Sequence, residues 1–211
     1  MGSILPAIPR DRFAERLRTA CGRELTDELV CRLYSHYEEL RRWNPRLSLI
    51  GPGTAQNLVE RHYGEALLAE TLLPGSQSTL VDVGSGAGFP GLVLAAMRPD
   101  WAVTLVEVRQ RKSAFLASAS RRMALPVHCL NARVAEPLPP GLPLTIDVLT
   151  VRAVRIDSQL IDPFVPRLTR DARLLLWSGE AAPRLSATWE LMGEIGLGGT
   201  TRILAFGSKG G

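Results

Sequence analysis

Lysine is nearly missing: Lys112 and Lys209 are the only two among 25 basic residues, and arginine supplies the rest. Genome base composition produces such a skew as readily as function does, so the formal charge of +4 raises a nucleic-acid reading only slightly. Cysteine is scarce. Cys21, Cys31 and Cys129 are odd in number and far apart, without C-x-x-C or Cys/His spacing, which excludes a disulfide framework and a sequence-local metal site. No uncharged apolar stretch reaches the roughly 20 residues a membrane span needs. The opening MGSILPAIPRDR has no basic segment followed by an apolar one, and Pro6 stands where a myristoylation signal requires Ser or Thr. Repeats and low-complexity tracts are also missing. These absences predict a cytoplasmic protein with reduced thiols and no membrane partner; a monomer is the working expectation.

What is present suits a folded domain with an appendage: 211 residues, 45% of them hydrophobic. Residues 1–73 read as a helical extension. Asp11 is expected to cap a first helix ending near Gly22, and Thr26 a second running to Trp43, with Leu29, Leu33, Tyr37 and Leu40 as its apolar stripe. A break follows at Asn44-Pro45, then a third helix over 54–73 burying Leu58, His62, Leu68 and Leu72. From residue 74 to 211 the pattern changes. Apolar runs at 80–83, 103–108, 127–130, 146–151 and 174–177 alternate with helical segments at 90–98, 110–123 and 156–168. Such alternation predicts an α/β fold, a doubly wound and mainly parallel Rossmann-like sheet covered on both faces. A helix near 183–192 and a closing antiparallel strand at 202–206 complete the expectation, which leaves little room for a sixth strand.

The densest signal is Asp82-Val83-Gly84-Ser85-Gly86-Ala87-Gly88, leaving a strand and entering a helix. Glycines there let the backbone turn sharply and approach a nucleotide-like ligand. An acid two residues before three alternating glycines is the S-adenosylmethionine (SAM) pattern of class I methyltransferases. The overlapping Gly86-Ala87-Gly88-Phe89-Pro90-Gly91 is a literal dinucleotide fingerprint, but its register is poor. The strand ends at Val83, so the dinucleotide series should begin at Gly84, and its third glycine then falls on Phe89. Glu107, 19 residues beyond Gly88, ends the second strand, where a carboxylate can accept from ribose hydroxyls.

Taken together, Trp43-Asn44, Arg61-His62, VDVGSGAGFPG at 81–91, Asn131-Ala132-Arg133-Val134-Ala135-Glu136 and Val151-Arg152-Ala153 resemble the glucose-inhibited division protein B family over nearly the whole chain. These are bacterial methyltransferases of guanine N7 in small-subunit (16S) ribosomal RNA. The resemblance implies SAM as cofactor and ribosomal RNA or the small subunit as partner. Asp82, Gly84, Ser85, Gly86, Gly88, Glu107, Val108, Ala132 and Arg133 would form the cofactor site, Arg152 and Arg133 would serve catalysis, and Arg109, Arg111, Lys112 and Arg202 would meet RNA. Ser48, Ile50, Glu65 and Ser178 depart from the family pattern, on the surface where the family presents its target-facing residues. The same fold acting on another RNA or a small molecule, and a SAM-binding protein without catalysis, are the alternatives.

The missing chemistry agrees with this. Guanine N7 has a lone pair and no proton, so no general base is required and the lack of a His/Asp or Ser/His/Asp set is no objection. Thr150-Val151-Arg152-Ala153 stands where amine methylation would place an Asn-Pro-Pro turn, and no cysteine is placed as a pyrimidine C5 nucleophile. For Trp43 the expectation is core packing, for His62 a bond between helices; Tyr63 is a candidate for stacking on bases.

Overall fold

The computed structural model describes residues 2–152, 156–179, 183 and 185–208. Thr26 caps helix α2 (Asp27–Leu47) by accepting from the Leu29 amide at 3.2 Å, and Asp27 and Glu28 complement the positive end of the helix dipole. Leu33, Tyr37 and Leu40 of the expected stripe are fully buried, with Val30 taking the place of the partly covered Leu29. Helix α1 (Arg10–Cys21) begins after Pro9, which caps it without a side-chain bond; Asp11 lies in the first turn, not at the cap. The Pro9 carbonyl, in extended backbone, already receives the Phe13 amide at 2.9 Å.

The expected break at Asn44-Pro45 does not occur. Helix α2 continues three residues past Asn44 because Pro45 removes only one donor near the helix end. Asn44 also ties the helix end to its flanking segments: its Oδ1 accepts from the Ile50 amide at 2.7 Å and its Nδ2 donates to the Ser3 carbonyl at 2.6 Å. Nor is 54–73 one regular helix. It comprises a 3-10 turn (Pro52–Thr54), a π-helical turn (Val59–Gly64), helix α3 (Glu65–Leu68) and a second 3-10 turn (Ala69–Leu72).

Strands β1 (Thr79–Val83), β2 (Ala102–Val106), β3 (His128–Leu130), β4 (Ile146–Val151) and β5 (Leu168–Ser178) are parallel; β7 (Arg202–Ser208) runs antiparallel to β5, and β6 (Trp189–Gly196) antiparallel to β7. The sheet order is β3-β2-β1-β4-β5-β7-β6. Helices α4 (Gly91–Met97), α5 (Gln110–Arg122) and α6 (Ser158–Ile161) lie on the connections. The helix expected over 183–192 is overturned from Trp189 onward: this stretch is β6, the additional strand for which the sequence leaves little room. The open edge of β7 offers these residues a ladder, with Trp189 opposite Ser208 and Leu191 opposite Phe206.

Alternate residues of the strands serve two cores. Leu80, Val103, Leu105, Val148, Leu175 and Ile203 pack with Phe13, Leu33, Tyr63 and Phe115, so the helical N-terminal segment and α4–α5 share one cluster on that face. Val81, Val83, Val106, Leu149, Leu174 and Leu176 form the other with Ile161, Phe164 and Trp189. Order reverses between β1 and β4, which opens a crevice at the carboxyl ends of β1, β2 and β4, the usual ligand position in such sheets.

Candidate active site

The turn after β1 has positive φ at Gly84 (74°), Gly86 (54°) and Gly88 (89°), which L side chains rarely adopt. At Gly88 space is also tight: a Cβ would lie 2.6 Å from Leu92 Cδ1 and 3.1 Å from His36 Nε2, so Leu92 would have to shift. The turn bounds a cavity of about 430 Å3 at the crevice, within the range of about 300–1,000 Å3 for small-molecule sites. Gly84, Ser85, Gly86 and Ala87 form one wall, Val106, Glu107 and Val108 another, and Ala132, Arg133 and Val134 a third; Ile50, His62, Phe89, Arg152 and Leu160 close it.

Glu107 is buried and held by two backbone amides. Its Oε2 accepts from Gly86 at 3.0 Å and its Oε1 from Arg109 at 2.8 Å. An ionised carboxylate has about four acceptor sites, so each oxygen retains capacity for a further donor. Asp82, expected beside the cofactor, is under the turn and off the cavity wall: it is 1% exposed, and Thr150 Oγ1 donates to its Oδ1 at 2.7 Å. Burial pushes its carboxyl up to about 6, against the Thr150 hydroxyl, which favours the anion. Gly88 likewise shapes the turn without reaching the cavity. Gly91, starting α4, fits against the same acid, since a Cβ there would meet Asp82 Oδ2 at 2.7 Å and Leu105 Cδ2 at 2.4 Å.

Arg152, one residue past β4, reaches the cavity wall from a half-buried position. Its Nη2 donates to Glu65 Oε2 and, at 2.6 Å, to the Arg61 carbonyl, and its guanidinium carbon is 5.8 Å from the Trp177 ring centre. Its Nη1 is buried without a partner among the described residues. Arg61 Nε is 3.0 Å from the other Glu65 oxygen. Burial nevertheless raises the Glu65 carboxyl above its ordinary range, against both arginines, and lowers Arg152. His62 stacks on Phe89 (5.0 Å between centres, 29° between planes), with Nε2 3.3 Å from Thr54 Oγ1. Burial, then Arg152 and Arg61, lower its pKa to about 3, so it is neutral at physiological pH.

Of the arginines and lysine expected to meet RNA, Arg109 and Lys112 line the cavity mouth beside Arg133. Arg111 is exposed on the first turn of α5 but off the cavity, and Arg202, across from Ser178 where β5 ends, faces Glu194 at 3.7 Å. The departures from the family pattern divide: Ile50 lines the cavity and Glu65 holds Arg152, while Ser48 closes α2 at φ 50° and Ser178 ends β5. Trp43 packs against the core and donates to Glu39 at 2.6 Å. Tyr63 is fully buried and so removed from any base. Ala153, in the family motif after β4, lies outside the described residues, as does Lys209. Sequence reasoning missed His36, whose ring touches the glycine turn; nothing in its local pattern separates it from the stripe of α2.

A sheet in this order, with a glycine turn after the first strand and an acid after the second, defines a class I SAM-dependent methyltransferase fold. A putative methyltransferase from Escherichia coli shares it at a TM-score of 0.51 and 16% identity, over 68% of this chain and 81% of that one. The GidB family model, described as rRNA small subunit methyltransferase G, matches residues 31–184. Ribosomal RNA small subunit methyltransferase G of Paramagnetospirillum magneticum is 37% identical over 169 residues, covering 80% of this chain and 78% of the relative. The protein of the same name from Sorangium cellulosum is 34% identical, covering 88% and 80%. The chain belongs to the rRNA small subunit methyltransferase G family.

Proposed function

We propose that this methyltransferase moves the methyl group of SAM to N7 of a guanine in 16S ribosomal RNA, acting as a monomer in the cytoplasm. The observation that carries the reading is Glu107: a buried carboxylate on the wall of a ligand-sized cavity, fixed by two amides and with acceptor capacity left on both oxygens. That pair of acceptors fits a ribose diol, whose two hydroxyls would donate to it, and the bare backbone at Gly84 and Gly86 leaves room for the sugar to approach. Ala132 and Val134 offer apolar contact to an adenine. SAM supplies an electrophilic methyl on a sulfonium.

The work left to the protein is alignment, because displacement at that methyl by a base nitrogen with a free lone pair needs no proton removed. Neutral His62, stacked on Phe89, gives the cavity a flat wall. Arg152 and Arg133 are the residues assigned to the purine and its phosphate; Arg suits both, through planar hydrogen bonding and stacking. Arg109, Arg111 and Lys112 extend a cationic rim along which an RNA backbone can track; Arg202, engaged with Glu194, is the weaker member.

The test is transfer of labelled methyl groups to small ribosomal subunits and to naked 16S RNA, followed by mapping of N7-methylguanosine. Wild type is expected to label one guanine in at least one substrate, and Arg152→Ala to lose transfer a hundredfold or more while SAM affinity changes less than threefold. Label elsewhere than N7, or Arg152→Ala turning over as wild type, contradicts the assignment.

A further inference from the structure

We propose that His36, on α2 of the N-terminal segment, is a positioning residue that fixes the cofactor turn from behind by donating a hydrogen bond to the Ala87 carbonyl. This rests on the cofactor reading above and adds to it a device that the glycine motif does not contain.

The ring is wholly buried, with Nε2 3.0 Å from the Ala87 oxygen and Nδ1 2.8 Å from the Tyr63 hydroxyl. A carbonyl only accepts, so Nε2 carries the hydrogen; Nδ1 of the neutral ring then accepts from Tyr63. Burial lowers the imidazole to about 4, which keeps the ring neutral at physiological pH, while the Ala87 carbonyl selects the tautomer. Tyr63, Phe89 and Phe115 surround the ring at 5.5, 5.2 and 5.9 Å between centres, leaving it little freedom to turn.

The consequence falls on one peptide group. The Ala87 carbonyl is held by His36, and the Gly88 amide of the same peptide donates to the Ser85 carbonyl at 2.6 Å. Both ends of the 87–88 peptide are thus committed, and its carbonyl is turned away from the cavity that Gly86 and Ala87 line. Tyr63 comes directly after His62 in the π-helical turn, a geometry often found at functional sites. The same short turn therefore supplies a cavity wall and steadies the residue that aligns the opposite one. Partners 51 and 27 residues from His36 in sequence make the device illegible from local pattern.

The experiment uses the full chain carrying His36→Leu, His36→Gln or Tyr63→Phe. S-adenosylhomocysteine affinity is measured by calorimetry, amide exchange at Gly88 in ligand-free protein by NMR, and folding by circular dichroism. His36→Leu is expected to weaken binding tenfold or more and to speed exchange at Gly88 at least tenfold. Glutamine, whose amide nitrogen reaches the place of Nε2, is expected to recover affinity to within threefold of wild type. Tyr63→Phe, which frees the ring, is expected to weaken binding about threefold. Leucine and glutamine variants impaired equally, or a folded leucine variant binding as wild type, overturn the proposal. If His36→Leu does not fold, the other two decide: glutamine worse than tenfold, or Tyr63→Phe without effect, overturns it. Wild type giving no heat would sink the cofactor reading instead, and Gly88 exchange would still report on His36.

Discussion

Two acids end or nearly end neighbouring strands, and their surroundings give them opposite work. Glu107 meets the cavity with its charge spread over two amides, whereas Asp82 is sealed under the turn with its carboxyl pushed up to about 6. Since the folded-state value lies above the ordinary 3.8, the unfolded chain loses this proton first as pH rises, and Asp82 subtracts stability between about pH 4 and 6. The full penalty, on the order of 3 kcal/mol, is reached above pH 6. Asp82→Asn keeps an acceptor for Thr150 and carries no charge. In urea unfolding it is therefore expected to gain on wild type as pH goes from 4 to 6.5; a constant difference across that range would refute the burial argument. Legibility at this scale depends on sequence separation. Asp82, the glycines and Glu107 fall within 26 residues and were readable as a motif, although only the structure separates the acid that faces the cavity from the one that supports the turn. Glu65 and Arg152 meet across 87 residues, so their ion pair was not readable.

Elements were legible where burial is simple. Strands β1, β2, β4 and the second half of β5 read as short apolar runs because both faces are covered, and α5 was expected within a residue of where it ends. The edge strand β6 was not, because its burial is uneven: Leu191 and Met192 are half-exposed while Trp189 is buried. Helix α2 ran past Pro45 because tertiary bonds from Asn44 outweigh a local breaker. The joint between β1 and α4 is the tightest in the site, and Gly91 tests it. Gly91→Ala must displace the Leu105 and Asp82 side chains or move α4 away from them, an overpacking that costs about 1–3 kcal/mol. A urea midpoint equivalent to less than about 0.5 kcal/mol from wild type would show that α4 can move without cost.

The N-terminal segment is tied to the sheet and its helices through one hydrophobic cluster and through polar links that include His36 to the turn, Arg61 and Glu65 to Arg152, and Glu39 to Ser118 of α5 at 2.6 Å. Both parts therefore meet around the cavity at the carboxyl ends of the central strands. Composition hinted at RNA only faintly, because arginine richness has a neutral cause. The cationic rim became visible once Arg109, Lys112 and Arg133 lay around one opening. No helix among the described residues is long and apolar enough to cross a membrane. The central claim is that this opening leads to a SAM site gripped by Glu107, and calorimetric titration of SAM into wild type and Glu107→Ala tests it most directly. Hydrogen bonds to a charged group contribute about 1.5–3 kcal/mol each, so the variant, still folded, should bind at least tenfold more weakly than a wild type that binds one molecule per chain. Equal affinity in the two proteins, or no heat from either, would contradict the account.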